Sequence, residues 1–293
     1  MSSTRGSGPE VLHRLLAEDA VVVAPGVFDG LSARAVEMSG FSAAYVTGAG
    51  ASLSNFGLPD LGLITQTDMV EQIMRLGEAT SLPLIVDGDT GFGGIANVVR
   101  SIRRYERAGA AAIQLEDQVF PKRCGHLEGK EVIGAAQFAA RIRAACDARA
   151  DDRFTIIART DAIQSQGLDA AIERAHLYVD AGADLVFIEA PERMADVQRI
   201  AREVTAPKMI NLISHSVTPT LTLDQLQQLG FRLAIYPIMT MVSAMSGMLQ
   251  ALRALREDGD DRSVAHLESP RELFELFDLD GWKDIVAREL ADE

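Results

Sequence analysis

The sequence predicts an α/β chain folded as a closed (β/α)8 TIM barrel with a C-terminal helical extension. Short apolar runs recur eight times, amphipathic segments separate them, and each run ends in a polar residue or glycine. Repeated strand-helix alternation of this kind is the pattern of a parallel barrel whose strands are buried on both faces. Periodicity does not reveal closure, so a doubly wound open sheet is the alternative arrangement.

The predicted strands are 20–24, 43–46, 83–86, 111–115, 154–158, 185–188, 208–210 and 233–236. All are too short for helices, and most are rich in Val, Ile or aromatic residues. Segments 67–79, 95–108, 135–148, 168–181 and 193–204 repeat their apolar residues at three and four, which predicts helices. Ala108-Gly109 and Ala181-Gly182 read as helix stops, where glycine takes the left-handed cap. No linker or second domain interrupts the pattern. One domain over 1–293 is expected, with 260–293 as a helical tail. In that tail Phe274, Leu276, Phe277, Leu279 and Trp282 follow a charged turn and suit packing on the barrel or on a neighbouring subunit.

Composition narrows the function. A net charge of -14 over 293 residues repels polyanions, which argues against nucleic acid as a partner. Two cysteines are too few for a disulfide framework and are not in a zinc-ligand spacing, which predicts a reducing, cytoplasmic setting. The first eight residues do not read as a signal peptide, and no stretch is apolar enough to span a membrane. His13, His176 and His266 fall in helical or terminal stretches and are expected at the surface.

Catalytic groups in such barrels stand at the C-terminal strand ends. Those positions hold Phe28-Asp29, Thr47-Gly48-Ala49-Gly50, Asp87-Gly88-Asp89, Glu116-Asp117, Arg159-Thr160-Asp161, Glu189, Asn211 and Tyr236-Pro237. One acid before a helix is an ordinary cap. Asp87, Asp89 and Glu116 gathered at one mouth need a compensating cation or strong donors, and an all-oxygen set favours Mg2+, with Mn2+ as the substitute.

The loop 118–133 is polar and broken by glycine. In it Cys124 follows Lys122 and Arg123 and precedes Gly125 and His126, surroundings that favour a thiolate and a thiol used in proton transfer. Cys146 lies in a predicted helix and reads as packing. The Gly48 to Gly50 stretch matches neither a Walker motif nor a dinucleotide fingerprint, and suits a cradle of backbone N–H groups for a carboxylate. Arg159 has few structural reasons to end a buried strand and suits a clamp on an anionic substrate.

Several stretches together resemble the isocitrate lyase and phosphoenolpyruvate mutase superfamily over about 25–259. They are Gly57-Leu58-Pro59-Asp60, Asp87-Gly88-Asp89-Thr90-Gly91-Phe92-Gly93, Leu115-Glu116-Asp117-Gln118, Lys122-Arg123-Cys124-Gly125-His126 and Ala158-Arg159-Thr160-Asp161. The resemblance implies a barrel that exchanges a helix between subunits, a homotetramer built as a dimer of dimers, and one Mg2+ beneath a small carboxylic acid. It makes Asp87 the main metal ligand, with Asp89 and Glu116 acting largely through water. Thr47, Gly48 and Ala49 would hold the substrate carboxylate and 2-oxygen, with Asp60 and His126 in support. Arg159 would bind the reacting acid and Cys124 would protonate the departing carboxylate's enolate. Glu189 joins the catalytic candidates, and Gly125, Asn211 and Ser214 the substrate-binding ones.

The implied activity is a Mg-dependent carbon-carbon lyase acting on a 2-methylisocitrate-like or alkylmalate-like acid. Phosphonomutase or phosphonopyruvate-type chemistry, oxaloacetate decarboxylation, and a non-catalytic carboxylate-binding barrel are the alternatives. Three departures from relatives bear on the substrate: Gln114 where 2-methylisocitrate lyases carry histidine, Gly88 in place of alanine, and the segment Ser214-His215, where relatives commonly have a glutamate and then a small or aromatic residue.

Overall fold

Eight short strands alternate with helices in the computed structural model, which describes residues 6–123, 125, 129–260, 262–263 and 269–290, without the side chains of 289–290. The order is α1 (Gly8–Ala17), β1 (Val22–Val27), α2 (Gly30–Met38), β2 (Ala44–Val46), α3 (Gly48–Phe56), α4 (Gln66–Ala79), β3 (Leu84–Asp87), α5 (Ile95–Ala108) and β4 (Ala112–Glu116). Then come α6 (Ala135–Ala148), β5 (Thr155–Thr160), α7 (Ala162–Asp180), β6 (Leu185–Ile188), α8 (Met194–Glu203), β7 (Lys208–Asn211), α9 (Leu223–Gln228) and β8 (Leu233–Tyr236). Three helices follow: α10 (Met239–Asp258), α11 (Pro270–Glu275) and α12 (Leu279–Leu290). Every predicted strand is present, displaced at its ends by no more than a few residues.

The strands pair in sequence order, all parallel, and β1 closes on β8 with Val22 opposite Leu233 and Pro25 opposite Tyr236. Closure excludes the open sheet. Inside the ring Tyr45, Ile85, Ile157, Phe187, Met209 and Ile235 fill the barrel, and Leu12 of α1 joins this cluster, so α1 covers the N-terminal end. A second apolar layer between strands and helices includes Val86, Ile102, Tyr105, Phe138, Phe154 and Tyr178. With both strand faces covered, polar side chains collect at the C-terminal strand ends and in the loops beyond them.

Local chemistry fixes the helix starts. Thr65 caps α4 and exchanges hydrogen bonds with Asp68, a reciprocal box that satisfies two orphan amides. The α5 stop at Gly109 is left-handed, as its sequence predicts (φ 100°). Two differences are physical. The expected helix at 168–181 begins at Ala162 and breaks at Gly167, whose φ of 85° is closed to ordinary helix. The glycine-rich 48–50 stretch, read from the sequence as a cradle of backbone amides, is the first turn of α3, because Thr47 caps it by accepting from the Gly50 amide.

The chain divides into two compact units, Met1–Met241 and Val242–Glu293. In the second, α10, α11 and α12 expose Leu249, Leu252, Leu255, Phe274, Trp282, Ile285 and Val286. No helix of the described residues is long and apolar enough to cross a membrane.

Candidate active site

A small cavity of about 50 Å³ lies at the C-terminal strand ends, and its wall carries most of the sequence-predicted site residues. Thr47, Ala49, Asp60, Asp87, Glu116, Gly125, Arg159, Glu189 and Asn211 all face it, joined by Tyr45, Lys122, Ile213, Pro237 and Ile238. Gly48 stands against Asp87, where an added Cβ would come within 2.8 Å of Oδ2. Ser214 lines a neighbouring cavity with Thr218 and Tyr236 while Ile213 faces the mouth. Cys124 and His126 lie outside the described residues.

Strand register sets the central charges. Asp87 on β3 pairs across to Gln114 on β4, and Glu116 pairs to Arg159 on β5. Neighbouring strands thereby hold Arg159 Nε 3.4 Å from Glu116 Oε2. Arg159 also forks onto Asp161 with two bonds of 2.9 Å, lies 3.9 Å from Glu189 Oε1, and stacks over Phe187 at 5.2 Å. A structural reason for this arginine therefore exists, which its sequence position did not suggest. Burial drives the Asp161 carboxyl upward, but Arg159 and Lys130 outweigh it and hold the group at about 2.

Lys122 supplies compensation that the sequence assigned to another purpose. Its ammonium is buried, 2.5 Å from Asp60 Oδ1 and 2.8 Å from Asp89 Oδ1, whereas its sequence neighbourhood suggested a cation tuning Cys124. Burial and the nearby Asp87 and Asp60 still push Asp89 up to about 6 against the pull of Lys122. Glu116 is raised well above the usual carboxylate range, by burial first and then by Asp161 and Asp87. The acids are thus crowded beyond what the internal cations offset.

Among the described residues no three His, Cys, Asp or Glu side chains converge as a direct metal cage. The expected triad differs from such a cage because Asp89 turns to Lys122. Asp87 Oδ1 accepts the Asp89 amide at 3.1 Å, and Glu116 Oε1 is buried with no hydrogen-bond partner among the described residues. An oxygen-only set with one orphaned, crowded carboxylate fits a hard divalent cation bound at few protein atoms and otherwise through water.

Thr47 caps α3, so the Gly48 and Ala49 amides at its first turn have no intrahelical acceptor and are available to an anion. Tyr45, missed by the sequence reading because it lies inside a strand, donates to Gln114 Oε1 at 3.1 Å, while Gln114 Nε2 is buried without a hydrogen-bond partner among the described residues. Gly88 is explained sterically: a Cβ there would meet Gln114 O at 2.8 Å. Asp117 is structural, accepting from Tyr178, Thr160, Arg174 and the Asp161 amide at 2.7 to 3.0 Å. Cys146 is half-buried, its thiol pushed to about 11 by burial, and it donates to Gly182 O, in keeping with a packing role. His176 is at the helix surface, 2.9 Å from Glu203 O.

Fold and mouth together define a (β/α)8-barrel enzyme with its polar groups gathered at the C-terminal strand ends. The phosphoenolpyruvate phosphomutase family profile matches residues 12–256. Over 274 residues the chain is 40% identical to a 2,3-dimethylmalate lyase of Eubacterium barkeri, covering 94% of each. It is also 40% identical to a 2-methylisocitrate lyase of Aeropyrum pernix over 279 residues, covering 95% of this chain and 89% of that one. Among solved structures, oxaloacetate acetylhydrolase with 3,3-difluorooxalacetate superposes at a TM-score of 0.91 and 35% identity, covering 95% and 96%. Phosphonopyruvate hydrolase complexed with oxalate and Mg2+ superposes at 0.87 and 28%, covering 97% and 100%. The chain belongs to the phosphoenolpyruvate mutase and isocitrate lyase superfamily.

Proposed function

We propose that this chain is a carbon-carbon lyase that cleaves a 2-hydroxy di- or tricarboxylate into a 2-oxo acid and a second carboxylate. The observation that carries the reading is the convergence of Asp87, Glu116, Arg159, Glu189 and the capped turn at Thr47 on one cavity. Kinship of 40% with proteins named as lyases of such acids supports it. The amides of Gly48 and Ala49, with Thr47, bind the carboxylate and 2-oxygen of the fragment that becomes the oxo acid. Arg159, fixed by Asp161, provides a rigid positive pole for the charge that develops on the other fragment. Asp60 and Lys122 brace the mouth as a pair, and Glu189 and Asn211 close the wall beside Arg159, with Asn211 Nδ2 donating to Glu189 Oε1 at 3.3 Å.

Asp87, Asp89 and Glu116 are the residues that would hold Mg2+, or Mn2+ in its place, and the ion would supply electrophilic polarisation of the 2-oxygen. Cys124 delivers the proton that the departing fragment takes up, with Gly125 and His126 adjoining it in the sequence. Ile213, Pro237 and Ile238 give the wall an apolar side suited to alkyl substituents. That favours an alkylmalate-like acid, although the turn at Ser214 is part of the same β7–α9 loop and would shape the far end.

Product analysis with 2,3-dialkylmalates, 2-methylisocitrate, oxaloacetate and phosphonopyruvate, each with Mg2+, tests the reading. A 2-oxo acid released from the first two is expected. Turnover of phosphonopyruvate or oxaloacetate alone would move the chain to the other chemistries of its superfamily, and binding without any product would make it a non-catalytic barrel. Cys124→Ser is expected to bind substrate and lose most turnover, and full turnover would remove Cys124 from the mechanism.

We further infer a single catalytic barrel domain with a helical tail, working in the cytoplasm as a homo-oligomer, a tetramer in the form that its superfamily implies. The exposed apolar side chains of α10 to α12 support assembly, since leaving them in water forfeits about 25 cal/mol for each Å². Light scattering of the intact chain reports the oligomer directly, and a monomer at all concentrations would refute it.

A further inference from the structure

A second cavity, about 490 Å³, opens beside the mouth and shares no lining residue with it. Its chemistry is set by two arginines. Arg141 on α6 is half-buried, and its one polar partner among the described residues is the Thr90 carbonyl, which accepts from Nη1 at 3.0 Å. Burial pushes Arg141 below arginine's usual pKa, and no carboxylate of the described residues pulls it back. Arg100 on α5 donates to the neutral Gln66 Oε1 at 2.8 Å. Arg141, partly withdrawn from water, gains from an arriving carboxylate, and the exposed Arg100 adds a second donor at the rim. The start of α5, at Gly94, lacks a side-chain cap and adds positive potential near Asn97 on the same wall. Phe92, Phe120 and Ile133 give the remainder an apolar face.

We propose that this cavity binds a small organic carboxylate with an apolar body, and that occupancy is transmitted to the catalytic mouth. The volume is in the range of metabolite-sized pockets, and the lining combines a fork for the carboxylate with a surface for a ring or alkyl chain. Transmission has two short routes. Thr90, held by Arg141, directly follows Asp89, the partner of Lys122. Gln118 lies on the cavity wall and grips the Arg123 backbone from both sides, accepting from its amide and donating to its carbonyl at 2.9 Å each. A ligand that competes for Arg141 or touches Gln118 therefore acts on the strap that carries Lys122 into the mouth.

Calorimetric titration of the intact, Mg2+-loaded chain with benzoate, hexanoate and inorganic phosphate tests the proposal. Benzoate or hexanoate is expected to bind one per chain. Loss of the charged fork in Arg141→Met is expected to weaken binding about tenfold or more, and Arg100→Met less. Asp87→Asn, in the mouth, should weaken it far less than Arg141→Met does. Arg141→Lys keeps the charge without the fork, and should weaken binding severalfold should the methionine variant fail to fold. Amide exchange across 118–123 is expected to slow on benzoate binding. Absence of binding, loss in Asp87→Asn with retention in Arg141→Met, or phosphate binding as tight as benzoate would overturn the site, and unchanged exchange would overturn its link to the mouth.

Discussion

Lys122→Met removes the ammonium that stands between Asp60 and Asp89 while keeping most of the side chain's length and bulk. In the native mouth the two contacts are 2.5 and 2.8 Å, and the group is buried. Breaking a buried ion pair from one side costs about 3 to 5 kcal/mol, because the surviving carboxylates are left in low dielectric. In a unit of this size each kcal/mol lowers the melting temperature by about 2 to 4 °C, so a loss of roughly 6 to 20 °C is expected. Burial lowers the pKa of Lys122, but Asp89, Asp87, Glu116 and Asp60 together outweigh it and raise it, so its contribution is fully present below the unfolded value and is lost only as pH climbs through the folded one. An assay near pH 7.5 therefore reads the full effect. Thermal unfolding followed by circular dichroism, with chelator and again with Mg2+, measures it. Mg2+ is expected to recover part of the loss, since a divalent ion at Asp87 would face the same carboxylates. A chelated variant melting within about 2 °C of the parent would refute the assignment of Lys122 as the internal counter-ion.

Three further outcomes follow from the same geometry. Asp89, raised by burial to about 6, gains stability in its protonated form that is present below its unfolded value and lost as pH rises toward 6. Chelated protein should thus lose on the order of 2 kcal/mol between pH 4 and pH 7, and denaturant titrations across that window check the slope. Asp161→Asn strips Arg159 and Lys130 of a shared partner and should destabilise the fold by about 3 kcal/mol or more while abolishing turnover, as read by urea melts and product assay. In Gly125→Ala the new methyl would press on Arg159 Nη2 and Glu189 Oε1, and because Asp161 holds that arginine in place, both kcat and melting temperature should fall.

The barrel was legible because its signal is local: eight apolar runs and their helices follow from composition and spacing alone. Strand ends were legible for the same reason, and Asp87, Glu116, Arg159, Glu189 and Asn211 all come to one wall. What was not legible depends on side chains meeting across the fold. Lys122 sits 62 residues from Asp60, and nothing in its surrounding residues announces that pairing. Asp117 looks like Glu116 in the sequence, yet the strand directs it outward to Tyr178 and Arg174, where it is a structural acceptor. The α3 turn was hidden because Gly48 and Gly50 are poor helix formers, and only the Thr47 cap and burial hold them helical. Cys124 and His126 were singled out from the sequence and lie outside the described residues.

Glu116 and Arg159 are fastened to opposite ends of one rung of the β4–β5 ladder, with Asp87 one strand further round. Their spacing is inherited from the sheet itself and cannot drift while the barrel stays closed. Ser214 and His215, by contrast, ride an irregular turn beyond β7, where His215 adopts a φ of 63°. Diversification of what is cleaved can proceed on that turn while the charged scaffold underneath keeps its dimensions, so new specificity need not be accompanied by a re-invented reaction.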